Sequence, residues 1–175
     1  MNELRTKARA IQLLILDVDG VMTDGGIIVT DKAEEIKGFH VQDGLGIQFL
    51  LESGFQVAVI TGRNSPLVAA RIEQLKIPHL YQGQINKVAA YEDLLNKLNL
   101  TPAQTAHVGD DLPDIPLFRR VGLAVAVANA VPLVKEYADW TTQASGGRGA
   151  VREICDFILD THNKLAAIEK RFTEE

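Results

Sequence analysis

Cysteine is almost missing from this chain. Its 175 residues include one, Cys155, so no disulfide can close within it. A bridged secreted scaffold is thereby excluded, and a reducing compartment is expected. Cys155 falls in the helical pattern VREICDFIL and reads as a small core residue. Long apolar runs are missing too. Nothing approaches the roughly 20 consecutive apolar residues that cross a bilayer. The opening stretch MNELRTKARAIQ mixes charges and is not read as a secretory signal. A cytoplasmic location without a membrane partner is therefore expected. Positive charge is scarce: 18 Lys and Arg face 23 Asp and Glu, a net charge of −5. That disfavours a nucleic-acid partner, because binding a phosphate backbone wants a basic face. It leaves room for one small anion held by a few local cations. Repeats and low-complexity linkers are absent as well, so a single domain spanning 1–175 is expected.

What is present is an alternation. LLILDV (13–18), QVAVIT (56–61), AHVG (106–109) and LAVAVA (123–128) are continuous apolar runs, as in strands covered on both faces. Helical patterns lie between them. GLGIQFLLESG ends at Gly54, a plausible C-cap, and SPLVAARIEQLKI opens with Ser65 as N-cap and Pro66 at the first helical position. NKVAAYEDLLNKLNL begins at Asn86, TPAQ (101–104) reads as a short helical turn, and LPDIPLFRRV follows the third strand. A last helix is expected from about Gly149 toward Lys170. Strand–helix alternation implies βαβ units: an α/β fold with a Rossmann-like, doubly wound, mainly parallel sheet and helices on both faces. One segment breaks the rhythm. GGIIVTDKAEEIKGFHV (25–41) has two β-like pieces around polar residues 30–35 and reads as an inserted β-hairpin.

In open α/β sheets, ligands bind outside the carboxyl ends of the strands. Asp17 and Asp19 end the first strand. Thr61, Gly62 and Arg63 end the second. Gly109, Asp110 and Asp111 end the third, with Asp114 a helical turn on, and Lys87 opens the helix after HLYQGQ. Acids gathered at one sheet edge repel one another, and a divalent cation relieves that repulsion. Oxygen ligands without His or Cys favour Mg²⁺. The four histidines show no metal-ligand spacing, and His107, inside a strand run, reads as a core or site-edge residue. A lysine and a hydroxyl beside such a cation describe a phosphoryl-transfer site with an aspartate nucleophile. Plainer readings exist for each residue alone: Asp17 as a turn acid before Gly20, Lys87 as a solvated helix-start lysine, Asp110 and Asp111 as caps.

DVDGVMTDG, ITGR, Lys87 and GDDLPD, in this order, resemble the four motifs of the haloacid dehalogenase-like phosphohydrolases. The resemblance implies that Asp17 is the phosphorylated nucleophile and Asp19 the general acid and then base. It also implies that Thr61 and Lys87 hold the phosphoryl group, and that Asp17, the Asp19 carbonyl and Asp110 hold Mg²⁺. Asp111 and Asp114 would position the metal and Lys87; Asp24 receives no role. Neither usual insertion point leaves room for a cap domain, so the site would stand open to water. FHVQDGLGI, ITGRNSPLVAARIEQLKI, HLYQG and GGRGAVREICD extend the similarity to the capless branch acting on 3-deoxy-D-manno-octulosonate 8-phosphate, an acidic eight-carbon sugar ester. That branch implies a homotetramer, a sugar-acid phosphate substrate and a role in lipopolysaccharide precursor synthesis. The alternatives are a nine-carbon, sialic-type sugar phosphate, or a non-catalytic oligomerisation module. The apolar residues Ile27, Ile28 and Val29, with Phe39, are expected to form an interface between subunits. Arg63, Arg71 and Arg148 are candidates for the substrate's carboxylate. Arg71 reads equally as a solvated helix arginine, and Arg148 as an anchor for the final helix. Residues from about 160 to 175 would either extend the helix or reach a neighbouring site. Trp140 reads as core or interface.

Overall fold

The computed structural model describes residues 2–174. Helix α1 (Asn2–Ala10) leads into β1 (Leu13–Leu16), the hairpin strands β2 (Ile28–Val29) and β3 (Glu35–Ile36), α2 (Val41–Glu52) and β4 (Gln56–Ile60). Then come α3 (Pro66–Gln74), β5 (His79–Tyr81), α4 (Lys87–Leu98), β6 (Thr105–Gly109), α5 (Ile115–Phe118) and β7 (Leu123–Ala126). The chain closes with α6 (Pro132–Glu136), β8 (Trp140–Thr141), α7 (Ala150–Thr161) and α8 (Leu165–Thr173).

The continuous apolar runs become the inner strands because each buries both faces. In β1, Leu14 and Leu16 pack into a core with α2, α3 and α7, while Leu13 and Ile15 pack into a second core with α4. In β4, Val57 and Val59 go one way, Ala58 and Ile60 the other. Six strands pair in the order β5-β4-β1-β6-β7-β8, all parallel. The chain builds outward from β1 to β5, then crosses back to β6 and builds the other way. The reversal lies between β1 and β6, which is where such sheets open a binding crevice. No cap domain is present among the described residues.

The hairpin exists, but it is slight. Each strand has two residues, with Ile28 opposite Ile36 and Val29 opposite Glu35. Ile27, Ile28, Val29 and Ile36 are exposed. Phe39 is not part of that patch: it is half-buried against the core, with the Arg71 guanidinium 5.6 Å from its ring centre.

Two more expectations are corrected. The final helix is two helices, because Asn163 takes a left-handed backbone (φ 58°) that Asn tolerates, and Lys164 N–H then donates to Leu159 O at 2.8 Å. Nor is the segment after 160 a free tail: α8 folds back, buries Ile168, sets Phe172 6.0 Å from Phe49 and pairs Arg171 with Glu52 at 3.3 Å. Ser65 does stand at the N-cap of α3, yet its hydroxyl makes no cap bond; its N–H donates to Gln82 Oε1 at 2.7 Å instead. Trp140 lies on the short edge strand β8, 4.9 Å from the Phe157 ring, on the core side.

Candidate active site

Asp17 follows β1, and its N–H donates to Val108 O at 3.1 Å, which fastens it beside β6. The chain then turns at Gly20 (φ +87°). A Cβ there would lie 2.0 Å from Asp110 Oδ2, so only glycine lets the two acidic loops meet. From the other side the loop 145–149 closes in: a Cβ at Gly146 would lie 1.8 Å from Gly20 O. Asn129 fixes this seam, donating to Gly20 O at 3.0 Å and accepting from Gly146 N–H at 2.7 Å.

Lys87, the first residue of α4, is 3% exposed. Its Nζ donates to Asp114 Oδ1 at 2.7 Å and lies 3.0 Å from Asp17 Oδ1, within ion-pair range but not in hydrogen-bond alignment. Burial pulls the ammonium pKa down, and Asp17 and Asp114 together outweigh it, so the group stays charged with a raised pKa. Asp114 is saturated. Oδ1 faces Lys87 and, at 2.9 Å, His107 Nε2; Oδ2 accepts from the N–H groups of Asp110 at 3.0 Å and Asp111 at 3.3 Å. Burial alone would raise its pKa; His107 and Lys87 reverse that and hold it well below the usual carboxylate range. Asp110 has no such relief. Burial, then the charges of Asp17, Asp114 and Asp111, push it up to about 7. Asp17 is raised by burial too, against the pull of Lys87.

Asp17, Lys87, Asp110, Asp111 and Asp114, but not His107, line one cavity of about 460 Å³ with Asp19, Gly25, Thr61, Gly62 and Arg63. A second cavity, of about 390 Å³, is lined by Gln12, Phe55, His162 and Lys164 among others and contains no carboxylate. The acid cavity fits a hard divalent cation. Carboxylate oxygens of Asp17, Asp110 and Asp114 lie within 4.8 Å of one another. Asp17 Oδ1 is buried without a hydrogen-bond partner, and burial, with the charges of its neighbours, raises the Asp110 pKa. A cation would satisfy both. Because both Asp114 oxygens already accept from donors, Asp17 and Asp110 are the free ligands, and the all-oxygen set suits magnesium.

Every acid singled out in the sequence, with Thr61 and Lys87, therefore converges here. Asp111 is at the outer edge, where its Oδ1 accepts from Leu112 N–H at 2.7 Å and caps the turn 112–114. Arg63 reaches the cavity, with Nη2 donating to Glu35 Oε1 at 2.8 Å and Nη1 3.9 Å from Asp19 Oδ2. The other two arginines do not line it. Arg71 donates to Gln74 Oε1 at 2.8 Å and lines a separate groove with Val41, Gly44 and Leu75, where Phe39 holds its guanidinium. Arg148 is mostly exposed and pairs at 3.3 Å with Asp24, outside the cavity rim.

One participant escaped the sequence reading, and another was read only as a core or site-edge residue. His107 is fully buried, with Nδ1 3.3 Å from Ile15 O and Nε2 on Asp114. A signal existed: Thr105 and His107 alternate with the apolar Ala106 and Val108, marking one polar strand face. Lys37, from the hairpin, places its ammonium on Asp19 Oδ1 with Glu35 Oε1 at 3.3 Å. Nothing in the local sequence pointed to it.

A family model described as haloacid dehalogenase-like hydrolase matches residues 79–154. The chain is 54% identical over 164 residues to the 3-deoxy-D-manno-octulosonate 8-phosphate phosphatase KdsC of Salmonella typhi, spanning 94% of this chain and 87% of that relative. The chain belongs to the haloacid dehalogenase-like hydrolases. Solved structures agree. The 3-deoxy-D-manno-octulosonate 8-phosphate phosphatase of Yersinia pestis superposes with a TM-score of 0.93 at 50% identity, over 94% of this chain and 89% of that one. The enzyme of the same name from Moraxella catarrhalis, solved in complex with a magnesium ion, a phosphate ion and a KDO molecule, superposes with a TM-score of 0.97 at 42% identity over 99% of both chains.

Proposed function

We propose that this chain is a magnesium-dependent phosphatase that hydrolyses 3-deoxy-D-manno-octulosonate 8-phosphate to the free sugar acid and phosphate, a step toward lipopolysaccharide. The observation that carries the chemistry is the convergence of Asp17, Lys87, Asp110 and Asp114 with Asp19 and Thr61 around one cavity. The substrate's identity rests on the similarity to enzymes of that name. The whole chain serves as one catalytic domain.

Asp17 attacks phosphorus in line. The bond to the sugar oxygen breaks as Asp19 gives that oxygen its proton. Water, losing a proton to Asp19, then attacks the phospho-aspartate; phosphate leaves and Asp17 is regenerated. Lys87 balances the charge of Asp17 and the phosphoryl oxygens, Thr61 donates its hydroxyl to one of them, and Asp114 keeps Lys87 in place. Asp17, Asp110 and the Asp19 carbonyl would hold the magnesium ion, which supplies charge neutralisation for the phosphoryl group. Asp111 supports the loop that carries Asp110. Arg63 is the partner for the sugar's carboxylate; Arg71 and Arg148 reach substrate only if a neighbouring copy brings them there.

The exposed Ile27, Ile28, Val29 and Ile36 support assembly into a homotetramer, in which neighbouring copies cover the open cavity. A cytoplasmic setting accords with the single, buried, unbridged cysteine.

Phosphate release measured on the eight-carbon ester and on a nine-carbon sialic-type ester, with and without Mg²⁺, tests the reading. The expected result is Mg²⁺-dependent release with the higher kcat/KM for the eight-carbon ester. A preference for the nine-carbon ester overturns the substrate, and release that chelation leaves untouched overturns the metal.

A further inference from the structure

The hairpin is an odd place for a buried charge. Its four aliphatic residues point to solvent, yet the Lys37 side chain is only 1% exposed. Burying an ammonium is costly unless carboxylates meet it. Here they do: Asp19 Oδ1 on one side and Glu35 Oε1, from the same hairpin, at 3.3 Å on the other. Arg63 closes the ring from the opposite wall, donating to Glu35 at 2.8 Å. Two cations and two carboxylates thus link the hairpin to the loop after β1.

The two oxygens of Asp19 are treated differently. Oδ1 accepts from the buried ammonium. Among the described residues, the ion-pair partner of Oδ2 is Arg63 Nη1, at 3.9 Å, beyond hydrogen-bond reach. A carboxyl group held this way has one oxygen engaged and one available. A proton passing through it resides on the available oxygen, because the engaged one already accepts from a donor. The carboxyl plane is fixed as well, and a proton donor acts only from the right place and angle.

We propose that Lys37 is a positioning residue for catalysis. Its ammonium engages Asp19 Oδ1, fixes the carboxyl plane, and so directs proton transfer through Oδ2 to the departing oxygen of the ester. The hairpin thus delivers a part of the acid–base apparatus as well as an outer surface. This inference rests on the phosphatase reading and on Asp19 as the proton donor.

The test exploits a property of general acids: they matter most when the leaving oxygen is a poor one. kcat/KM, which reports the steps up to formation of the phospho-aspartate, is measured with Mg²⁺ for p-nitrophenyl phosphate and phenyl phosphate. The two esters differ in leaving group and carry no carboxylate, so any sugar-binding role of Lys37 drops out. General acid catalysis is worth roughly 10²–10⁴-fold. In Lys37→Met the ratio of phenyl to p-nitrophenyl activity should fall by about tenfold relative to the unaltered enzyme, and Lys37→Arg, which restores a donor, should recover part of it. The ratio is taken within one preparation, so a poorly folding variant does not distort it. An unchanged ratio in Lys37→Met, whether both rates fall together or neither falls, overturns the inference. If the unaltered enzyme releases phosphate from neither aryl ester nor the sugar ester, the phosphatase reading itself fails. If it cleaves only the sugar ester, kcat/KM on that ester is the readout, and equal values for the unaltered enzyme and Lys37→Met overturn the inference.

Discussion

The cavity has two walls built on different principles. The inner wall is made of strand ends: Asp17 after β1, Thr61 after β4, Asp110 after β6, and Lys87 at the start of α4. Each is tied to elements whose apolar faces are buried on both sides of the sheet. What serves as an outer wall is the hairpin, two residues to a strand with its aliphatic side chains exposed; its strands do not line the cavity and meet it only through the contacts of Lys37 with Asp19 and of Glu35 with Arg63. The inner wall is held by the core, so its groups keep their mutual distances even where like charges repel. Ionic contacts through Lys37, Glu35 and Arg63 tie the outer wall to the rest. Groups that must sit at fixed distances from the reacting phosphorus belong on the first wall. Groups that adjust to substrate entry can be carried by the second, since regions with few buried apolar contacts are the ones that open locally.

The sharpest way to break the comparison is through the inner wall. Asp17→Asn removes the proposed nucleophile while keeping its shape. Turnover should fall by roughly 10³-fold or more, with the melting temperature within a few degrees of the parent, because the lost ion pair with Lys87 is offset by relief of repulsion among the acids. Steady-state phosphate release and a thermal melt on the same sample check both halves. Substantial activity in this variant would remove the covalent mechanism.

This division also explains what could be read in advance. The strand ends were legible because continuous apolar runs locate a parallel sheet, and topology then dictates where the carboxyl ends converge; Asp17, Asp19, Thr61, Lys87 and Asp110 needed no knowledge of side-chain geometry. Lys37 was not legible, since its burial arises only when a chain reversal of 18 residues brings it onto Asp19. Arg71 looked like a site residue from its place on the helix after Arg63, but the ring of Phe39 draws its guanidinium to another groove. The break at Asn163 was hidden because the amphipathic pattern runs across it, and one residue's backbone angle decides where the helix ends.

A middle-sized effect is expected deeper in the inner wall. His107→Leu leaves Asp114 Oδ1 with Lys87 alone and strips Ile15 O of the ring contact. Leaving buried polar groups underpaired costs about 1–3 kcal/mol. For a chain of this size that lowers Tm by about 2–4 °C per kcal/mol. The activity loss should be about 10- to 100-fold, as for residues that orient a metal site's groups. If His107 acts through Asp114, the His107→Leu activity loss should shrink toward nothing in an Asp114→Asn background, a double-mutant cycle that separates positioning from general destabilisation. Additive losses would show that His107 merely fills space.

The smallest effect on the fold, and the one that sharpens the contrast most, belongs to the outer wall. Ile28 is 58% exposed, and its cross-strand partner Ile36 is exposed too. Replacing Ile28 with Ser removes apolar surface that the chain's own core does not use, so the stability of the subunit should change by no more than about 0.5 kcal/mol. The same substitution should weaken any assembly that packs hairpins together, because that surface is lost at the centre of the contact. Sedimentation equilibrium should therefore show a lower mass for Ile28→Ser at a concentration where the parent is assembled, with an unchanged far-ultraviolet circular dichroism spectrum. Loss of folded signal instead would mean that the hairpin is part of the core's support, and the two walls would not differ in kind. An unchanged mass with an unchanged spectrum would detach the hairpin from assembly and leave Lys37 as the feature that ties it to the site.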